Sequence, residues 1–296
     1  RSPSPPDQLP VGPSSQASPE TMPTICKDPP MGSIERFLRQ RFSPRQILTP
    51  ASGAPERTVG PPTSSNGASS FHLFWTIPPV PLSEVRATIT ITEAPRTPHL
   101  YFWALQASFA DSSDRGLGAG HLGLQHHPDY DRGGALNWGG YHDGGGELSG
   151  STSLLGSAVG NPNTSNFVWV PGRAYRYRIH RSPERGWRGS ITDLGSGEET
   201  MARDLWIEAD HLSHPMVWSE VFAPCDAPAV EVVWTDLHGL DRENRRIDPV
   251  DFVTNYQRVA DGGCSNTSIH VDGTALIQRT STARTTPSQT RIRPPS

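Results

Sequence analysis

Ala174-Tyr-Arg-Tyr-Arg-Ile-His180, a turn through Ser182-Pro-Glu-Arg-Gly186, and Trp187-Arg-Gly-Ser-Ile-Thr-Asp193 read together as a β-hairpin. Tyr175, Tyr177 and Ile179 fall on one face and Arg176, Arg178 and His180 on the other, the two-residue period of a strand with one buried side. Outward from the hairpin the same signal recurs. Phe71-His-Leu-Phe-Trp-Thr-Ile77 stops at Pro78-Pro79, and Val85-Arg-Ala-Thr-Ile-Thr-Ile-Thr92 sets Val85, Ala87, Ile89 and Ile91 on one face. Leu100–Phe109, Val217–Phe222, Val230–Asp236 and Thr274–Arg279 add further strands, with no long helical period to compete. Many strands, Gly and Pro turns and no βαβ alternation predict an all-β fold, a two-sheet antiparallel β-sandwich or jelly roll.

The chain has 296 residues, yet only its middle has the apolar content of a core. Residues 1–68, rich in Pro and Ser, read as a disordered arm, 69–280 as the sandwich domain, and 281–296 as a disordered tail. Within the arm, Ile34, Phe37, Leu38 and Phe42 are spaced for one face of a short helix over 33–42, with Ser33 as N-cap. A net charge of -4 argues against nucleic acid as a partner. No apolar run reaches the length of a membrane span.

Cys225 and Cys264 both fall in the strand-rich region. A bridge between them would close a loop of about 40 residues and stabilise the fold by roughly 4 kcal/mol in the chain-entropy model; two separate buried thiols are the alternative. Asn163-Thr-Ser165 and Asn266-Thr-Ser268 have the glycan-acceptor pattern.

Trp169-Val-Pro-Gly172, leading into the hairpin, resembles the central hairpin of concanavalin-like or laminin-G-like domains. Tyr101-Phe-Trp103, Gly123-Leu-Gln125 and Trp218-Ser-Glu-Val-Phe222 resemble an uncharacterised family of bacterial secreted domains of unknown function. The resemblance implies a secreted, extracellular sandwich with carbohydrate as its commonest ligand, and it supplies no catalytic residues.

A candidate site follows from Leu122-Gly-Leu-Gln125 and Asn137-Trp-Gly-Gly-Tyr141-His-Asp-Gly-Gly-Gly146. Flat rings cover the C–H face of a sugar, and planar amides or carboxylates chelate vicinal hydroxyls, so Gln125, Asn137, Trp138, Tyr141, His142 and Asp143 are the expected ligand-binding residues. The glycines would build them into a loop; the bland alternative places Trp138 and Tyr141 in the core. The expected function is therefore a carbohydrate-binding or adhesion module for a polysaccharide or glycan, with a protein partner as a second class.

An enzyme, less expected, would be a glycoside hydrolase or polysaccharide lyase. Its carboxylate pairs would be Glu208 with Asp210 or Glu220 with Asp236, and a lyase would draw on the Tyr175–His180 strand. No cofactor is assigned. His121, His126, His127 and His142 lack a compact zinc pattern, whereas Asp111, Asp114, Asp129 and Asp131 could supply oxygen to calcium.

Overall fold

The computed structural model describes residues 56–294. They form antiparallel strands in two layers, as the alternation in the sequence predicts. The first layer runs β13 (Asp251–Tyr256), β1 (Ser69–Thr76), β10 (His211–Val221), β3 (Tyr101–Ala110), β4 (Gly116–His126), β5 (Gly134–His142) and β6 (Thr164–Asn166). The second runs β14 (Ser268–Asp272), β15 (Ala275–Arg279), β11 (Glu231–Asp241), β2 (Leu82–Glu93), β7 (Ala174–Arg181), β8 (Trp187–Asp193) and β9 (Glu199–Leu205). Short strands β12 (Arg246–Ile247) and β16 (Arg291–Ile292) pair with β11 and β13. A single residue pair, Leu82 with Leu212, joins the layers at a corner.

Apolar residues at alternate positions meet between the layers: Phe71, Leu73 and Trp75 from β1, Trp103, Leu105 and Phe109 from β3, and Tyr175, Tyr177 and Ile179 from β7. Two polar pegs cross this core. The Tyr177 hydroxyl donates to the Trp103 carbonyl (3.2 Å) and accepts the Leu124 amide (2.8 Å). Gln278 of β15 accepts from the Trp234 indole and the Ser219 hydroxyl (2.8 Å each) and donates to the Phe71 carbonyl (3.0 Å). Buried polar groups satisfied this way fix the layers in one register, because a slip would leave them unpaired. We expect Gln278→Leu to cost about 2–3 kcal/mol, read by urea denaturation, since it strands two donors and a carbonyl in the core.

Cys225 and Cys264 form a disulfide. Around it, the Cys225 amide donates to the Gly60 carbonyl (2.7 Å) and the Cys264 amide to the Ser69 hydroxyl (2.9 Å), so residues before β1 are pinned to the domain.

The predicted C-terminal tail begins too early in the chain. Residues 281–294 return to the sandwich: Arg284 lies over the Tyr256 ring at 3.9 Å and donates to the Cys264 carbonyl, and β16 pairs with β13. Its Thr, Pro and Arg composition lacks apolar bulk, but hydrogen bonds to an edge strand need none. Of the predicted arm over 1–68, residues 1–55, with the helix at 33–42, lie outside the described residues, and the described remainder bonds to the domain through Gly60 and Thr63.

Candidate functional site

Strand register decides which side chains share a surface. Across β1, β10, β3, β4 and β5, the residues pointing away from the core are His72 and Phe74; Met216, Trp218 and Glu220; Phe102, Ala104 and Gln106; His121 and Gln125; Asn137 and Tyr141. Instead of the polar face that usually backs a sandwich sheet, this one carries rings and amides. Phe102 stands edge-on to Trp218 at 4.8 Å, His121 lies 5.7 Å from Phe102, 6.0 Å from Trp218 and 6.0 Å from Tyr141, and His72 lies 5.9 Å from Phe74. Phe102, Met216, Trp218, Gln106 and His121 form a buried floor, while His72, Phe74 and Tyr141 are half-buried at its rim.

Three amides on this outer face keep a hydrogen-bonding atom unpaired among the described residues. Gln106, 2% exposed, accepts the Trp218 indole N–H at 3.1 Å, and its Nε2 has no acceptor. Asn137, 0% exposed, donates to the Thr164 hydroxyl at 2.8 Å and leaves Oδ1 without a donor. Asn255, across from His72 on β13, accepts from Ser288 and Gln289 and leaves Nδ2 unpaired. A buried amide atom without a partner costs about 1–3 kcal/mol.

Burial holds the two histidines neutral. The pKa of His72 and that of His121 are both pushed down to about 4 by desolvation. Between pH 6.5 and about 4 the unfolded chain binds protons that the folded chain does not. Stability from this source is therefore complete above pH 6.5, falls as the pH drops, and levels off near pH 4. For His121 the loss is of order 3 kcal/mol. A pH series of urea denaturation should show this fall, and His121→Asn should lessen it, leaving the part due to His72.

The structure divides the residues expected to bind a ligand. Gln125, Asn137 and Tyr141 do share the outer face, but Trp138 points the opposite way, 0% exposed between the layers, and His142 and Asp143 lie exposed at the end of β5. Gln125 is spent on the Tyr130 hydroxyl at 2.9 Å. The glycines explain the difference. Gly134, Gly139 and Gly140 lie within β5 rather than in a loop, whereas Gly133, Gly144, Gly145 and Gly146 sit in turns with positive φ. Gly120 and Gly189 make room for an indole: a Cβ on either would lie 2.7 Å from the Trp138 ring. Gln106, His121 as a member of this face, Trp218 and Asn255 were missed as site residues, although the alternation of Leu100–Phe109 already set Gln106 opposite the core set.

Of the two carboxylate pairs, Glu220 with Asp236 does not form. Glu220 belongs to the first layer and Asp236 to the second, where Asp236 accepts from Arg246 at 2.9 Å. Glu208 and Asp210 share an exposed loop face before β10. Arg178, the cation of the lyase alternative, grips Glu84 with two bonds of 2.8 and 2.9 Å. Asn163, the first glycan-acceptor asparagine, is buried. No cluster of three or more His, Cys, Asp or Glu placed for a metal ion occurs among the described residues. Asp111 instead caps its own turn, and the Ser113 hydroxyl and the Ser113 and Arg115 amides hold its pKa down to about 2. No helix among the described residues is long and apolar enough to cross a membrane.

No family model and no curated protein matches this chain. Solved structures similar to it include SCP-B, a member of the eqolisin family of peptidases in complex with the tripeptide Ala-Ile-His, at 13% identity and a TM-score of 0.41 over 73% of this chain and 98% of that one. Scytalido-glutamic peptidase with a peptide-based transition-state analogue matches at 12% identity and a TM-score of 0.40, over the same shares of each chain. These are distant likenesses, and no residue role is carried over from them. They are peptidases, however, and the expectation of a carbohydrate-binding module, or of a glycosidase or lyase, is corrected on that finding. The side chains supply a physical reason: the ring meant to stack on a sugar is in the core, and Glu220 and Asp236, one of the pairs meant to cut one, stand in different layers.

Proposed function

We propose that the outer face of the first layer binds an extended polypeptide segment. The observation that carries this reading is the set of three buried amides, Gln106, Asn137 and Asn255, whose unpaired atoms include both donors and an acceptor. A peptide backbone offers the complementary acceptor and donor at every residue. Around them the floor of Phe102, Met216 and Trp218 suits apolar side chains, and the histidines, neutral at pH 7, add no charge. The Cys225–Cys264 bridge supports an oxidising, extracellular setting for this encounter.

The test is binding of reduced, unfolded casein to the full chain and to Gln106→Met. Removing the unpaired donor, together with the acceptor of the Trp218 indole, while keeping the side-chain shape is expected to weaken binding roughly ten-fold. Equal binding by the two proteins would sink the reading.

One observation favours a second reading, hydrolysis of the bound amide. Gln106 Nε2 is a donor of the kind that holds an oxyanion, and directly across from Gln106 on β4 stands His121, a neutral imidazole able to take a proton. Cleavage of casein by this route would rise as the pH passes through about 4 and vanish in His121→Asn.

A further inference from the structure

Arg203 of β9 is a buried cation with no carboxylate beside it. Its side chain is 5% exposed, and it forms no ion pair among the described residues, whereas Arg178, Arg188 and Arg279 each rest on acidic groups. Nη1 donates to the Pro162 carbonyl at 2.7 Å and the Asn163 side-chain oxygen at 3.2 Å, and Nε has no partner. Gly150 lets the guanidinium lie against the chain: a Cβ there would come within 2.4 Å of Nη2. Burial pulls the Arg203 pKa down, and the charge of Glu147 opposes that only in part.

This guanidinium lines a cavity of about 450 Å³ at the edge where β9 meets the segment running from β5 to β6. The other walls are rich in hydroxyls, among them Ser149, Ser151, Thr152 and Ser153. Ser151 accepts the Asp204 amide at 2.9 Å and Ser153 the Leu155 amide at 3.1 Å, so each keeps its own proton to donate. Asp204 itself is taken up by Arg188 and Ser182. Glu147, exposed, is the acidic group in the cavity lining. An uncompensated buried charge is costly, and the ordinary remedies are a counter-ion or loss of the charge.

We infer that the cavity is an anion site, taking one compact oxyanion between the Arg203 guanidinium and the hydroxyls of Ser151 and Ser153. Planar guanidinium donors flanked by hydroxyls match a carboxylate or a phosphate group. The inference does not depend on the peptide reading.

Calorimetric titration of the full chain with acetate and with inorganic phosphate, at constant ionic strength set by chloride, tests it. Saturable one-to-one binding of either anion is expected; acetate alone would identify an organic carboxylate as the natural source, phosphate alone a phosphate group. Glu147→Gln, an exposed change that removes a like charge, should tighten binding roughly two- to five-fold. Arg203→Met should abolish it while the fold persists without anion, since an apolar side chain of similar length replaces an unbalanced cation. Should that variant not fold, Ser151→Ala combined with Ser153→Ala should weaken binding at least several-fold. No saturable binding of either anion, or binding indifferent to these substitutions, overturns the proposal.

Discussion

Trp138→Ala is expected to destabilise the domain by about 3–5 kcal/mol, the range for removing a large aromatic side chain from a packed core. The indole is 0% exposed and lies between Gly120 of its own layer and Gly189 of the other, so its removal opens a void that spans both layers. Phe109 and Leu122 border it, but the paired strands that carry them are held in register by their ladders, so little can close it. Urea denaturation gives the number. Unchanged stability would mean that the ring is not a core element. Trp138→Phe should cost less, and Gly189→Leu should cost as much by forcing a side chain into the space that the indole fills.

Removing the Cys225–Cys264 bridge has the second large effect. The bonded residues are 39 apart, and in the chain-entropy model cross-linking a loop of that length stabilises the folded state by roughly 4 kcal/mol. Cys225→Ala together with Cys264→Ala should lower the denaturation midpoint accordingly, and the wild-type protein in reductant should move by the same amount. The consequences are not only entropic. The Gly60 carbonyl, the Ser69 hydroxyl, Asn266 and Arg284 all hydrogen-bond to the main chain of the two cysteines, so the lead into β1 and the C-terminal segment should loosen together. Amide exchange in residues 57–64 and 281–286 would report this directly. Protection unchanged on reduction would show that these contacts hold without the bridge.

The amino-acid sequence by itself determined the class of fold and most of its strands. Alternation in the runs beginning at Phe71, Val85, Leu100, Ala174 and Trp187 marks which residues face the core, since a strand's side-chain period is fixed by its backbone. It also placed Cys225 and Cys264 within reach of one another as one of two alternatives. The tertiary structure decided which sheet each strand joins, and with that everything about the outer face. Gln106 and His121 face each other across consecutive strands, but Trp218 and Asn255 come from far along the chain, and only strand order sets all four on one face. Locally, Asn137-Trp-Gly-Gly-Tyr141 looks like a ring-bearing loop. The pleat sends Trp138 inward and Asn137 outward, and the layer above then needs glycine at position 189 to receive the indole. The Arg203 cavity is equally invisible in sequence, because a lone arginine within Glu199–Leu205 becomes a buried, unbalanced charge only when the segment before β6 folds over it.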